Sequence, residues 1–309
     1  MKLKQNVIGA IAVMFGGFLW ALDGVFLTPQ LYDLLDHLVL VVFLLHLTPF
    51  IIMNPFLFKN YKKLWKFSKE DYLTFFLIAF FGGFLGTWAI VKALFIVNFD
   101  GLSIVVLLQK LQPIFAIILA AILLKEKIRK NFAIWATIAI IASYFLTFGL
   151  NLPNLHQDKN MTLASMYAIL AAIAFGSATV FGKKILKKYS FSTATFFRFG
   201  FTALITLPLV FLFNEMNLSV VTSTHWLFFV IIAVTAGGGG IFIYYYGLKK
   251  IKAMTATICE MFFPISAIIL DYLINQQILS LVQWLAVAVM LFSIYKITKE
   301  DKIKNNLKK

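Results

Sequence analysis

Pro113-Ile-Phe-Ala-Ile-Ile-Leu119 returns 151 positions downstream as Pro264-Ile-Ser-Ala-Ile-Ile-Leu270, with six of seven residues identical. Upstream, Gly83 and Gly86 match Gly237 and Gly240 at a shift of 154. The same shift aligns Ala93-Leu94 with Gly247-Leu248, so the stretch between the two markers is three residues longer in the first copy. Apolar segments match by chance more often than polar ones, but coincident proline and glycine spacings argue against chance. What has been duplicated follows from composition. Of 309 residues, 61% are apolar and 13% charged, with mean hydropathy +0.89. A soluble domain runs near half apolar and a quarter charged. Soluble enzyme, disordered tail and disulfide scaffold are therefore excluded, and a polytopic membrane protein is expected.

Ten apolar runs lie between charged or turn-forming clusters, at about 7–27, 38–58, 72–96, 101–124, 131–150, 162–182, 193–213, 225–248, 254–274 and 280–297. A helix needs roughly 20 residues to cross roughly 30 Å of hydrocarbon. These runs fit that length and do not alternate as barrel strands would, so the fold class is all-α with ten transmembrane helices. The first run follows Lys2 and Lys4 without a small-residue cleavage site, so it reads as an uncleaved helix. With the N-terminus in the cytoplasm, 24 of the 28 Lys and Arg fall in inner loops or tails, and Lys159 alone in an outer loop. Asp33, Asp36, Asp100, Asp158 and Glu215 fall outside. Cationic loops stay in the cytoplasm, so both termini are expected there. The net charge of +15 is then a topology signal with attraction to anionic lipid headgroups, and needs no nucleic acid. The stretch from Lys59 to Tyr72, with Tyr61, Leu64, Trp65 and Phe67 among lysines, suits the inner interface.

Each copy holds five helices. The expected division is a first repeat over 1–150, an external linker over 151–161, a second repeat over 162–298 and a basic cytoplasmic tail over 299–309. Five is odd, so the second repeat enters the membrane from the opposite side. Inverted repeats of this kind build secondary transporters, whose substrate site lies near the midplane between the halves.

The pattern Gly86…Ala93-Leu94…Pro113…Glu126, echoed by Gly240…Gly247-Leu248…Pro264, resembles the EamA branch of the drug/metabolite transporter superfamily over nearly the whole chain. That resemblance implies two antiparallel EamA repeats. It also implies a central cavity lined by the third, fourth, eighth and ninth helices with the first and sixth. The activity it implies is export or uptake of small metabolites, amino acids among them, driven by exchange or a proton gradient. One departure is visible: Glu126, ending the fourth helix, corresponds to Gln277 in the second repeat, so a role needing both carboxylates is not expected.

Ionisable residues within a span are costly and are functional candidates by default. Lys110 lies roughly 14 Å below the outer boundary and Glu260 roughly 10 Å above the inner one, at 1.5 Å per residue, so their depths are similar. Gln109 is the repeat mate of Glu260. Two readings stand side by side: a structural ion pair, or the two poles of a zwitterion site with the substrate ammonium on Glu260 and its carboxylate on Lys110. Glu260 is also a candidate proton-coupling carboxylate. Thr257, Glu260, Pro264 and Asp271 share one helical face, with Asp271 near enough to the outer end to be hydrated. The prolines free carbonyls at Gln109 and Glu260 for ligand or simply kink their helices.

His46 and Arg198 are approximate repeat mates; a structural role is expected for Arg198, and pH sensing or coupling is the functional reading of His46. Lys92, opposite Tyr246 of the second repeat, is expected to snorkel. Trp20, Trp88, Phe175, Phe242, Tyr244 and Tyr245 lie on the helices that the resemblance assigns to the cavity, and together suit an apolar side chain or ring. The Gly82-Gly83-x-x-Gly86 and Gly237–Gly240 clusters read as close helix crossings rather than a phosphate loop, since no Gly-Lys-Ser/Thr follows.

The expected function is a secondary transporter of a small polar or zwitterionic metabolite, an amino acid or a larger zwitterion such as S-adenosylmethionine, working by alternating access. A proton-coupled exporter of organic cations or drugs is the alternative. An integral membrane enzyme would need a metal cluster or a nucleophile-base pair, and only His46 of the four histidines lies well inside a span while Cys259 has no evident partner. No cofactor and no nucleotide-binding domain are expected. Abundant lysine with only two arginines points by composition to an AT-rich bacterial genome and hence the inner membrane.

Overall fold

The computed structural model describes residues 2–97, 105, 108–152, 159–276 and 279–306, and among these every regular element is helical. Helix α1 (Lys2–Leu22) runs through a π turn at Asp23–Leu27 and a 3-10 segment at Thr28–His37 into α2 (Leu38–Leu57). An amphipathic 3-10 stretch, Phe58–Lys66, follows and leaves Trp65 94% exposed. Helix α3 (Lys69–Ile78) opens with a capping box: the Ser68 hydroxyl accepts from the Asp71 N–H, and the Asp71 carboxylate accepts from the Ser68 N–H. A π turn at Ala79–Leu85 joins it to α4 (Gly86–Ile96). Next come α5 (Gln112–Leu123), α6 (Lys130–Phe148), α7 (Lys159–Leu186) and α8 (Phe191–Leu212). Helix α9 (Ser223–Ile232) passes through a π turn at Ala233–Gly237 into α10 (Gly238–Lys250). The chain ends in α11 (Ala253–Cys259), α12 (Phe262–Asn275) and α13 (Leu281–Asn306).

Among the described residues, eight helical segments are long and apolar enough to cross a membrane. The first, Gln5–Lys66, has 62 residues and contains two of the expected runs. At 1.5 Å per residue its path is roughly 90 Å, about three times a hydrocarbon core. The expected run 101–124 falls partly outside the described residues; its described remainder is the shorter apolar helix Gln112–Leu123. Large apolar side chains such as Ile51, Leu204, Phe211, Leu227 and Leu285 are exposed on the bundle's exterior. So broad an apolar exterior is foreign to soluble monomers.

The two π turns begin at Ala79 and Ala233, 154 positions apart, the shift that relates the two glycine pairs. Helix contacts also come in corresponding pairs: α1 lies on α10 as α7 lies on α4, and α1 lies on α12 as α7 lies on α5. Helices α2 and α8 face each other, as do α6 and α13. At the first π turn a side chain on Gly82 would overlap Ala178 and Arg198, so glycine there serves close crossing.

Pro113 and Pro264 stand at helix breaks, whereas Pro49, Pro55 and Pro208 lie inside continuous helices. Pro113 stands at the start of α5 after a turn at Lys110–Leu111, and Pro264 lies in the first turn of α12 after a turn at Glu260–Met261. In a first turn the missing N–H costs no intrahelical bond. The Glu260 carbonyl, expected to be free, accepts from the Phe263 N–H at 2.9 Å and is already occupied.

Candidate functional site

Glu260 occupies the break between α11 and α12, where its side chain meets three other helices. Its Oε1 accepts from the Tyr244 hydroxyl at 2.5 Å and the Thr179 hydroxyl at 3.3 Å. Its Oε2 accepts from the Gln112 amide at 2.6 Å. The two hydroxyls are 3.0 Å apart. Local sequence brings these groups together. A methyl on Gly176 would lie 3.0 Å from both the Gln112 carbonyl oxygen and the Ala116 nitrogen, so glycine lets α7 rest on the α5 backbone. Thr179, one turn further along α7, then reaches Glu260. The Trp20 ring lies 5.1 Å from that of Tyr244 at 54°, with its indole N–H donating to the Ala236 carbonyl at 3.1 Å.

Lys110 is buried at the Lys110–Leu111 turn, with its ammonium 3.6 Å from the centroid of the Phe263 ring. That is a cation–π contact. Among the described residues the ion pairs within 4.0 Å are Lys184–Glu70, Lys188–Glu70 and Lys188–Asp71, so Lys110 and Glu260 form no direct pair. Both nonetheless border the same helix break, since Phe263 lies three residues beyond Glu260. Thr257, one turn before Glu260, is buried with its hydroxyl unpartnered among the described residues. Gln109 is half-buried beside Lys110.

The remaining sequence candidates lie apart from Glu260's immediate shell. Tyr245 is fully buried and its hydroxyl accepts from Arg198 Nη1 at 3.2 Å, while Arg198 Nη2 donates to the Gly82 carbonyl at 3.1 Å. Arg198 thus ties α8 to α10 and to the first π turn. Trp88 stands edge-on to Tyr167 at 5.4 Å, and Phe175 rests on Gly86, both in the α4–α7 contact. His46 keeps to α2, its Nδ1 2.8 Å from the Val42 carbonyl and its ring 5.6 Å from Phe199. The Asp271 side chain and Gln277 lie outside the described residues.

Two other carboxylates join the halves of the chain at opposite ends of the bundle. Glu126 accepts from the N–H groups of Ala253 and Met254 at 3.0 Å each, supplying the start of α11 with the partner that its cap residue Lys252 does not provide. Glu215 accepts from the N–H groups of Val39 and Leu40 at 2.7 and 3.1 Å, where the His37 cap of α2 offers no side-chain bond. Helix starts leave such N–H groups bare and favour negative charge. The Glu126 end gathers the lysine-bearing connections. There Asp71 accepts from Lys188 at 2.8 Å and Tyr189 at 2.9 Å, and Lys63 donates to Thr193 at 2.6 Å. The hydrogen bond to Asp71 raises the Lys188 pKa; burial, then that same carboxylate, pushes Tyr189 up to about 12.

The sequence pattern of the EamA-like transporter family matches residues 7–148 and again 162–299. The chain belongs to the EamA-like transporter family. It is therefore a multi-pass membrane transporter rather than an enzyme. It is 48% identical over 299 residues to a protein of Fusobacterium nucleatum subsp. nucleatum (strain ATCC 23726 / VPI 4351) named riboflavin transporter ImpX, covering 96% of this chain and 99% of that one. A solved crystal structure is similar in fold, with a TM-score of 0.68 at 14% identity, over 95% of this chain and 96% of the other.

Proposed function

We propose that this protein carries riboflavin or a closely related flavin across the bacterial cytoplasmic membrane by alternating access. The carrying observation is the 48% identity, over nearly the full length of both chains, to a protein named a riboflavin transporter. The site supports the reading. A carboxylate ringed by neutral donors, with Trp20, Tyr244 and Phe263 nearby, suits a planar heteroaromatic ring with polar edges. In this reading flavin replaces the amino acid or S-adenosylmethionine expected from Lys110 and Glu260 alone.

The architecture proposed for that work is ten helices in two inverted repeats, 1–150 and 162–298, joined by an external linker. Both termini and the tail from 299 are cytoplasmic. Supporting it are the two matched family segments, the corresponding π turns and the paired helix contacts. The lysine-bearing connections that share one end of the bundle support that end as cytoplasmic. Lys110, Glu260, Gln109, Trp20, Trp88, Phe175, Tyr244, Tyr245 and Thr257 are the proposed substrate contacts, to which Gln112 and Thr179 are added. Glu260 is the proposed coupling carboxylate, with His46 the second candidate.

Counterflow in proteoliposomes tests this. Vesicles preloaded with unlabelled riboflavin should accumulate labelled riboflavin, and vesicles preloaded with amino acids or S-adenosylmethionine should not. Accumulation driven by a zwitterion, or by an organic cation, with none driven by riboflavin, would replace the flavin reading.

A further inference from the structure

We infer that Glu260, Gln112, Tyr244 and Thr179 together form a receptor for a cyclic imide edge, the carbonyl–N–H–carbonyl side of a pyrimidinedione ring. This rests on the flavin reading above and says which edge of the carried molecule is read and by which atoms. An ionised carboxylate only accepts hydrogen bonds, an amide NH2 only donates, and hydroxyls do both. The Glu260 carboxylate is flanked by the Tyr244 and Thr179 hydroxyls at one oxygen and the Gln112 amide at the other. From one side to the other the cluster therefore presents donor, acceptor, donor. An imide edge presents acceptor, donor, acceptor.

The alternative guest, an ammonium group, brings three donors and no acceptor. It would compete with the Gln112 NH2 and the two hydroxyls for Glu260 and give any donor that it displaced no acceptor in exchange. Buried polar groups left in that way are costly, which sets the cluster against a cation and toward a ligand with two carbonyls around one N–H.

Gln112 holds the ligand's place in this conformation. It is the one donor of the three that comes from the N-terminal half of the chain, and an amide N–H bonds a carboxylate as an imide N–H does. It stands at the first position of α5, directly after the Lys110–Leu111 turn, so the backbone beside it is a joint rather than the middle of a helix. When an imide N–H takes the Glu260 oxygen, Gln112 swings to one flanking carbonyl and the Thr179 hydroxyl turns to the other, while Tyr244 stays on Oε1. The ring plane then lies against Trp20 and Tyr244, whose rings are 5.1 Å apart. In this arrangement the Gln112–Glu260 bond ties the two halves together; with the imide edge bound, the substrate bridges them.

The experiment compares flavins that differ only at this edge. Binding to purified wild-type protein is read by quenching of flavin fluorescence, and transport by competition against labelled riboflavin uptake. N3-methylriboflavin, whose methyl group removes the donor, should compete at least about tenfold more weakly than riboflavin, as expected when a built hydrogen-bond site meets a ligand lacking its partner. An analogue substituted at C8, on the far ring, should compete within about threefold of riboflavin, since its imide edge is intact. In Glu260→Ala the two N3 forms should bind alike. Equal competition by riboflavin and its N3-methyl form in the wild type would overturn the assignment while leaving flavin transport standing. Absence of riboflavin binding and transport altogether would remove the flavin reading itself and this inference with it.

Discussion

Asp71 and Glu260 each accept at least three hydrogen bonds, but from different company. Asp71, at the lysine-rich end, faces Lys188, the Tyr189 hydroxyl and its own capping partner Ser68. Glu260, at a helix break inside the bundle, faces only neutral donors, with Lys110 turned to an aromatic ring. A carboxylate with a cation in contact has its charge answered and its geometry settled. One held by amide and hydroxyl groups is satisfied without being neutralised, and can still exchange a partner for a ligand or take a proton. The first arrangement fastens; the second leaves room for the receiving role proposed for Glu260.

The comparison can be broken from either side. The largest effect is expected from Glu260→Gln, which keeps size and polarity but removes the acceptor charge. Riboflavin counterflow should fall at least about a hundredfold, as for the loss of a charge-assisted bond worth roughly 3 kcal/mol, with insertion and detergent stability retained. Full activity would take Glu260 out of the mechanism. Lys110→Met should come next, with uptake reduced about tenfold through loss of the buried cation beside Phe263. Unchanged uptake would assign Lys110 to packing alone.

Asp71→Ala acts on the fastening side. It leaves Tyr189 without its acceptor and Lys188 with only the longer Glu70 contact, and removes the capping box, costing about 2 kcal/mol of stability. The half-saturation concentration for substrate should not move, whatever the loss of folded protein does to the maximal rate, and a shift there would show that the lysine-rich end also touches substrate. Glu126→Gln should cost less, about 1 kcal/mol at the start of α11, read as a lower melting temperature. The smallest effect belongs to Trp65→Ala, which should leave counterflow unchanged because that indole lies outside the bundle, 94% exposed.

The sequence made the helical class, the duplication and the acid at Glu260 legible, because apolar run length, proline spacing and a lone acid within an apolar run are one-dimensional signals. Gln112 was missed by one turn. The repeat shift pairs Glu260 with Gln109, but equivalence under a repeat fixes level, not contact. The residue that meets Glu260 is the one beside Pro113, where α5 restarts. Thr179 gave no sign among the small residues of α7, since a threonine in a span looks the same whether it bonds its own helix or a neighbour. Arg198, expected in a structural role, is buried between Tyr245 and Gly82, and its second partner is a carbonyl of the π turn at Ala79–Leu85 that pattern reading does not anticipate. Glu126 and Glu215 were visible as loop acids, but their targets are helix starts more than a hundred residues away.

Those two loop acids bear on how such a protein can exist at all. Glu126 serves a helix of the C-terminal half and Glu215 a helix of the N-terminal half. Two copies of the N-terminal half would own Glu126 twice and Glu215 not at all, leaving the start of α2 bare; two copies of the C-terminal half would fail in the reverse sense at α11. Neither half replaces the other in a homodimer without baring a helix start, at a cost of about 1 kcal/mol for each one bared. The exchanged carboxylates thus favour the pairing of two unlike halves, as one fused chain or as two different chains made together.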